Sequence, residues 1–226
     1  MFDLISEYDT QLREAFWVTI QLTVLSAIGA LVIGTVVAGM RVSPVPVARW
    51  VGATYVAVFR NTPLTLILVF CSLGLYSTLR LNLAAEGPNS LADNNFRWAT
   101  VGLSVYTAAF VCESLRAGIN TVPLGQSEAG RSLGLGFLQN LRLIVLPQAF
   151  RAVIAPLGSV LIALTKNSTV ASAIGVVEAS FLMNEMLENE AALLLIGAIF
   201  ALGFVVLTLP TGLLFGYIAK RFEVAR

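Results

Sequence analysis

The chain of 226 residues is 57% hydrophobic and only 12% charged, with a net charge of +1 and a mean hydropathy of +0.84. A soluble domain is about 45–50% apolar and about 25% charged. The deficit of charge excludes an ordinary soluble domain and predicts an all-α membrane protein. Histidine is absent, Cys71 and Cys112 lack a metal-binding spacing, and no basic run occurs. No catalytic residue, metal site or nucleic-acid interface is therefore predicted.

Apolar stretches long enough to cross a bilayer, which takes about 20 residues, predict five transmembrane helices. They cover residues 15–40, 50–79, 98–119, 151–177 and 191–219. Gly29, Gly34 and Gly39 in the first stretch favour close helix packing. The Asn-Thr-Pro sequence at 61–63 predicts a break in the second stretch, because proline cannot continue a helix.

The connecting segments are polar. Residues 80–97 and 180–190 are predicted to be exposed, and the amphipathic segment 121–150 holds too many charges to cross. The first nine residues lack the basic and apolar regions of a cleaved signal peptide, so the first span is expected to act as the insertion signal. Residues 1–226 are predicted to form a single transmembrane domain without a sequence repeat. Transport pathways usually form between repeats, so pairing with a copy or a relative is expected.

Basic residues orient membrane helices, because Lys and Arg are retained on the cytoplasmic side. With five spans, one side would hold Arg41, Arg49, Arg131, Arg142, Arg151, Lys220, Arg221 and Arg226, and the other would hold Arg13, Arg80 and Arg97. The excess predicts an outside N-terminus and a cytoplasmic C-terminus. Segment 121–150 then lies in the cytoplasm, and acidic residues such as Glu178 fall outside.

A spaced motif lies in segment 121–150. Its residues, in chain order, are Glu128, Ala129, Gly130, Gly134, Leu146 and Pro147. The sequence predicts a short helix with Ser127 as its N-cap, a reversal at Gly134 and Gly136, and a second helix over 138–146 that Pro147 punctuates. An ordinary amphipathic interfacial loop is the alternative interpretation.

This spacing resembles the EAA signature of bacterial ABC-importer permeases, with Gly130 where that family usually has alanine. The resemblance implies a type I importer-permease fold, with five transmembrane helices and a cytoplasmic coupling helix pair that seats in a groove of an ATPase. A helical glycine costs about 1 kcal/mol relative to alanine, so Gly130 predicts a looser first helix and a tolerated Gly130→Ala substitution.

No Gly-x-x-x-x-Gly-Lys-Ser/Thr phosphate loop occurs in the chain. The ATPase is therefore expected to be a separate polypeptide, and the resemblance implies two copies of it. ATP and Mg are expected on those partner subunits, with no cofactor on this chain.

Four ionisable residues fall within or near the predicted spans. Insertion of an Arg, Lys or Asp at mid-helix into a membrane costs at least about 2.5–3.5 kcal/mol. The four residues are Arg60, Glu113, Arg116 and Lys166, and they sum to a charge of +2. Glu113 and Arg116 can pair across one helical turn. Structural alternatives are carbonyl capping by Arg60 at the broken helix and pairing of Lys166 with a neighbouring acid. The excess of positive charge favours an anionic substrate.

Segments 60–64, 113–119 and 166–169 resemble the polar-amino-acid branch of these permeases, and the similarity runs from about residue 17 to 217. It is strongest to actinobacterial glutamate-uptake permeases, notably over 41–45 and 161–172. The candidate substrate-binding residues are Arg60, Thr62, Glu113, Arg116, Lys166 and Asn167. The resemblance implies a non-identical sister permease, two ATP-binding subunits and an external substrate-binding protein in a bacterial plasma membrane.

The expected function is ATP-driven uptake of a polar amino acid, with glutamate as the favoured cargo, by a non-catalytic membrane subunit. Three alternatives stay open at this point. The cargo can be a basic or neutral polar amino acid, or the chain can be an ion-coupled transporter or channel. It can also be a structural or regulatory subunit without a pathway of its own.

Overall fold

The computed structural model describes residues 6–85, 87–190 and 192–222. Part of the segment on which the signal-peptide prediction rests, residues 1–5, lies outside them. The described residues form helices and turns and no strand. The elements are α1 (Asp9–Val42), α2 (Pro46–Asn61), α3 (Leu64–Val69), a π-helix (Phe70–Thr78), α4 (Ser90–Asn120), α5 (Leu124–Ser132), α6 (Phe137–Asn140), a second π-helix (Leu141–Val145), α7 (Leu146–Asn167), a 3₁₀-helix (Ser168–Ile174), α8 (Ala179–Asn189) and α9 (Leu193–Phe222).

Among the described residues, four helices are long and apolar enough to cross a membrane. They are α1, α4, the continuous helix Phe137–Ile174 and α9. A fifth span exists only if the pair Pro46–Asn61 and Leu64–Thr78, bent by 103°, is counted as one. The break predicted at 61–63 is confirmed, because Thr62 and Pro63 both have extended backbones between the two helices.

Close packing of α1 on α4 forms the centre of the bundle. A Cβ atom at Gly34 would lie 2.7 Å from the Val111 side chain, and one at Gly29 would overlap Ser104. These two glycines therefore permit the close approach that the sequence predicts. At Gly39 no described atom of another element lies within 4 Å of a Cβ position, so this glycine takes no part in the packing of α1 on α4.

Two helices extend beyond the predicted segments. Residues 90–97 belong to α4 rather than to an exposed loop, and they are anchored by Asn94, which accepts hydrogen bonds from the amides of Leu83 and Ala84. The helix that contains the predicted fourth span, 151–177, begins at Phe137. Hydropathy misses both extensions because a helix can continue past the apolar window that marks its span.

Pro147 lies inside the long fourth helix instead of ending a separate one. Proline has no backbone N–H to donate to a carbonyl of the preceding turn. The turn before Pro147 is the wider π-helix Leu141–Val145. At about 1.5 Å per residue, the 38 residues of Phe137–Ile174 exceed a hydrocarbon core of about 30 Å. Part of this helix must therefore lie beyond the bilayer core.

The acidic stretch 180–190 is a helix, α8, with one buried face. Leu182 and Met186 pack against α1 and α9 in a cluster that includes Phe200. Glu178, just before α8, is fully buried and caps this helix, because its carboxylate accepts hydrogen bonds from the amides of Ser180 and Phe181.

The buried carboxyl of Glu178 makes stability depend on pH. Burial raises its pKa from 4.5 to about 7, although the Ser180 and Phe181 amides and the Thr19 hydroxyl act to lower it. Below about pH 4.5 the Glu178 carboxyl holds its proton in both the folded and the unfolded chain, so its contribution to the free energy of unfolding is fully present.

Between pH 4.5 and 7 the unfolded chain ionises first, so the folded state should lose about 3 kcal/mol as pH rises. Glu178→Gln, which keeps the capping oxygen without a titrating proton, should flatten this part of the profile. The check is the thermal unfolding midpoint of both proteins in detergent at a series of pH values. Parallel profiles would contradict the assignment.

Candidate functional site

One carboxylate, that of Glu113, gathers three arginines. Arg41 Nη1 donates to Oε1, Arg116 Nη2 lies 3.2 Å from Oε2, and Arg60 Nη1 lies 3.6 Å from the same oxygen. Their side chains are between 19% and 46% exposed. This Glu113 cluster carries a net charge of +2, so it can attract a further anion.

Three different helices supply the cluster. Glu113 and Arg116 lie one turn apart on α4, and their predicted pairing is confirmed. Arg60 lies in the last turn of α2, and Arg41 lies in the last turn of α1. The interhelical contacts join the ends of α1 and α2 to the C-terminal part of α4.

The carbonyls at the end of α2 are capped by residues other than Arg60. Asn61 Nδ2 donates to the Ala57 carbonyl at 2.7 Å, and Thr62 Oγ1 donates to the Val58 carbonyl at 2.8 Å. The capping alternative for Arg60 is therefore wrong. Thr62, a predicted substrate-binding residue, uses its hydroxyl to cap the C-terminus of α2.

Phe110 lies next to Arg60 and also lines a cavity. The Arg60 guanidinium carbon is 5.7 Å from the centre of the Phe110 ring, a cation–π geometry. The cavity, of about 190 Å³, lies between α4 and α7 and is also lined by Thr107 and Asn167. The Thr107 hydroxyl is buried and has no hydrogen-bond partner in the described part of the chain. The structure thus brings the predicted residue Asn167 to the same ring as Arg60.

Lys166 lies near the end of α7, where the helix tightens into the 3₁₀-helix Ser168–Ile174. Its side chain is exposed, and no acid among residues 6–85, 87–190 and 192–222 comes within salt-bridge distance. The alternative that Lys166 pairs with a neighbouring acid is not found there. Lys166 and Thr62 therefore remain outside the Glu113 cluster.

Segment 121–150 folds as a helical hairpin, here defined as residues 124–147. Helix α5 begins at Leu124 after Pro123, so Ser127 is not its N-cap and Glu128 is not in its first turn. Gly134 has a φ of +85°, which L-residues with a side chain rarely adopt, and it reverses the chain as predicted. Gly136 precedes α6 as its N-cap, and the Gln139 side chain accepts from its amide. Glu128, Ala129, Leu146 and Pro147 are exposed on the hairpin.

Gly130 is the contact point between the two arms of the hairpin. A Cβ atom there would lie 2.5 Å from Ile144 Cδ1 and 2.9 Å from Asn140 Oδ1. Asn140 is itself held by a 2.9 Å hydrogen bond from its side-chain nitrogen to the Ser127 carbonyl. The interpretation of Gly130 as a mere loosening of α5 is therefore incomplete, because the missing methyl group lets the two arms touch.

The similarity to known proteins agrees with this geometry. Residues 30–224 match the family described as binding-protein-dependent transport system inner membrane component. The chain belongs to this family. It is 55% identical to the glutamate transport system permease protein GluC of Corynebacterium efficiens and 54% identical to that of Corynebacterium glutamicum, over all of each chain. Its fold matches the crystal structure of an amino acid ABC transporter with histidines at a TM-score of 0.84, with 26% identity over 98% of both chains. The predicted membership of the ABC permeases is confirmed.

Two residues of this candidate site carry no clear signal in the sequence. Arg41 counts only in the topological tally, since it follows an uncharged stretch and its partner is 72 positions away. Phe110 carries no signal in the sequence, because an aromatic residue in a membrane helix is ordinary. No group of three His, Cys, Asp or Glu side chains with metal-site geometry occurs among the described residues.

Replacing the shared carboxylate of the permease should leave three arginines in mutual repulsion. We expect Glu113→Gln to destabilise the fold by about 2 kcal/mol, below the ~3–5 kcal/mol of a fully buried pair, because the site is partly exposed. Adding Arg116→Gln should recover part of the loss by removing one of the repelling charges. Thermal unfolding in detergent measures both effects.

The matched control is Arg13→Gln, which breaks the exposed pair with Asp9 on α1. Surface pairs contribute up to about 1 kcal/mol, so this control should change stability little. Equal losses for Glu113→Gln and Arg13→Gln would count against a special role for the cluster.

Proposed function

We propose that this permease forms part of the pathway for ATP-driven glutamate uptake, with Arg60 as the principal contact for a substrate carboxylate. The single observation that supports this most is the excess of guanidinium groups around Glu113. One carboxylate is shared by three arginines, so a second carboxylate would find unused N–H donors and positive potential there. The full-length similarity to two glutamate permeases points to the same cargo.

Arg60 is the arginine of the cluster best placed to change partner. Its contact with Glu113 is the longest of the three, at 3.6 Å, and its side chain is the most exposed, at 46%. It also lies at the break between α2 and α3, where irregular backbone within a membrane lines protein or water rather than lipid. Release from Glu113 would free the guanidinium fork to bind a substrate carboxylate.

The cavity beside Phe110 would supply the remaining contacts. Thr107 and Asn167 line it and offer a hydroxyl and an amide for the amino or second carboxylate group of glutamate. Lys166, adjacent to Asn167 in the chain and exposed, adds a second cation. Thr62 is proposed to act by ending α2 beside Arg60, whereas Glu113 and Arg116 set the position and charge of the site.

The assignment of Arg60 is tested by ATP-driven uptake of labelled glutamate in vesicles that contain the whole transporter. Arg60→Gln should raise the apparent KM at least about tenfold, since hydrogen bonds to charged groups contribute ~1.5–3 kcal/mol. Arg60→Lys keeps the charge but not the guanidinium fork, so its KM should lie between those of the wild type and Arg60→Gln. Arg13→Gln should have the KM of the wild type.

An unchanged KM in Arg60→Gln would refute the assignment. Competition by unlabelled arginine or glutamine as strong as that by glutamate would instead favour the basic or neutral cargo. Uptake that continues on a sodium or proton gradient after ATP is exhausted would favour an ion-coupled transporter. Bound glutamate that touches only a sister subunit would favour a structural role for this chain.

We further propose that the hairpin faces the cytoplasm and contacts one of two separate ATPase subunits, with the N-terminus outside. The distribution of basic residues and the resemblance of the motif support this orientation. Exposed apolar side chains on the hairpin, such as Leu133 and Leu138 at 83% and 72%, supply a surface for such a partner. A sister permease and an external binding protein complete the proposed assembly.

The contact at Gly130 offers a test of this coupling. Gly130→Ala should push Ile144 away from α5, so ATP hydrolysis should become less tightly linked to uptake, with about a severalfold fall in glutamate imported per ATP despite the better helix propensity of alanine. Adding Ile144→Val removes the Cδ1 atom that the new methyl group would meet and should restore most of the loss.

The control is Gly125→Ala on the same helix, where no neighbouring atom of the described residues lies within 4 Å of a Cβ position. It should leave the ratio of uptake to ATP hydrolysis at the wild-type value. If Gly130→Ala also retains that ratio at normal expression, the arms of the hairpin do not transmit the motion.

A further inference from the structure

A second and larger cavity lies between the hairpin and the ends of α1 and α4. Its volume is about 720 Å³. The residues that line it are Arg41, Val42, Arg116, Ile119, Asn120, Val122, Leu124, Ser127, Arg131, Leu135, Phe137, Asn140, Leu141 and Val145. This hairpin cleft is distinct from the cavity at Phe110, with which it shares no lining residue.

The polar part of the hairpin cleft is strongly basic. Three arginines from three helices line it, Arg41 from α1, Arg116 from α4 and Arg131 from α5, and no acidic residue is among the lining side chains. Glu113 offsets part of the charge of Arg41 and Arg116. Arg131 is exposed and forms no salt bridge with the acids that the structure describes. An anion in the cleft would therefore meet uncompensated positive charge.

Apart from Asn120, Ser127 and Asn140, the other residues that line the hairpin cleft are apolar. Val122, Phe137 and Leu141 line it beside the arginines, and the side chain of Phe137 is 49% exposed. The cleft also begins where the spanning helices end, at Val42 and Asn120. A small water-soluble anion would gain nothing from these apolar walls, whereas a phospholipid presents a phosphate next to hydrocarbon.

We propose that the hairpin cleft binds an anionic phospholipid, with its phosphate between Arg116 and Arg131 and the start of an acyl chain against Phe137 and Leu141. Basic pockets between spanning helices at the membrane surface recognise anionic headgroups by the same chemistry. The lipid links the hairpin to the ends of α1 and α4. The proposed orientation of the chain decides only which leaflet supplies the lipid, and the binding itself does not depend on it.

The test measures lipid retention by the full chain, purified with the subunits that accompany it. Phosphatidylglycerol is titrated against a phosphatidylcholine background, and bound lipid is counted by native mass spectrometry. Wild type should retain phosphatidylglycerol in preference to phosphatidylcholine. Arg131→Gln should weaken that binding about fivefold, the equivalent of ~1 kcal/mol for one basic residue at a membrane surface. Arg131→Lys should retain most of the affinity, because it keeps the charge.

Arg151→Gln is the matched control, because Arg151 is an exposed arginine of α7 that does not line the hairpin cleft. It should bind phosphatidylglycerol like the wild type. Equal binding of both lipids, or equal losses in Arg131→Gln and Arg151→Gln, would overturn the proposal. Full displacement by glycerol 1-phosphate would also overturn it and assign the cleft to a soluble phosphate. These measurements involve no uptake of glutamate, so their failure is separate from a failure of the proposed transport function.

Discussion

The shared carboxylate of Glu113 is the interaction on which the rest of the arrangement depends. An arginine at mid-membrane costs at least about 2.5–3.5 kcal/mol, and three arginines on three different helices lie within or at the ends of the apolar helices here. The Glu113 carboxylate on α4 pairs with all three arginines and offsets part of this cost. The ends of α1 and α2 are thereby fixed against α4, while the positive charge is reduced without being cancelled.

The same cluster lies beside the break between α2 and α3. Pro63 prevents α2 from continuing, and Asn61 and Thr62 cap the freed carbonyls, so Arg60 is left without a backbone task. It lies beside the Phe110 ring, with only a 3.6 Å contact to Glu113. A residue that is held loosely at a helix break, next to a cavity, can exchange one carboxylate for another.

Two of the arginines face a second space as well. Arg41 and Arg116 bind Glu113 and also line the hairpin cleft, whose opposite wall is the hairpin itself. Arg41 and Arg116 therefore connect the Glu113 cluster to the hairpin cleft. The two arms of the hairpin are held together by Gly130 against Ile144 and by Asn140 on the Ser127 carbonyl.

Sequence alone determined the features that are local along the chain. The pairing of Glu113 with Arg116, the break at Pro63 and the reversal at Gly134 follow from helix periodicity and from the backbone limits of proline and glycine. The spacing of the hairpin motif and the low charge were sufficient to identify the family. Only the tertiary structure decided that Arg41 reaches Glu113 and that Phe110 lies by Arg60. It also decided that Glu178 is buried. Each of these depends on the rotation and register of one helix against another. Hydropathy does not report either quantity, because it records how apolar a segment is and not which face meets a neighbour.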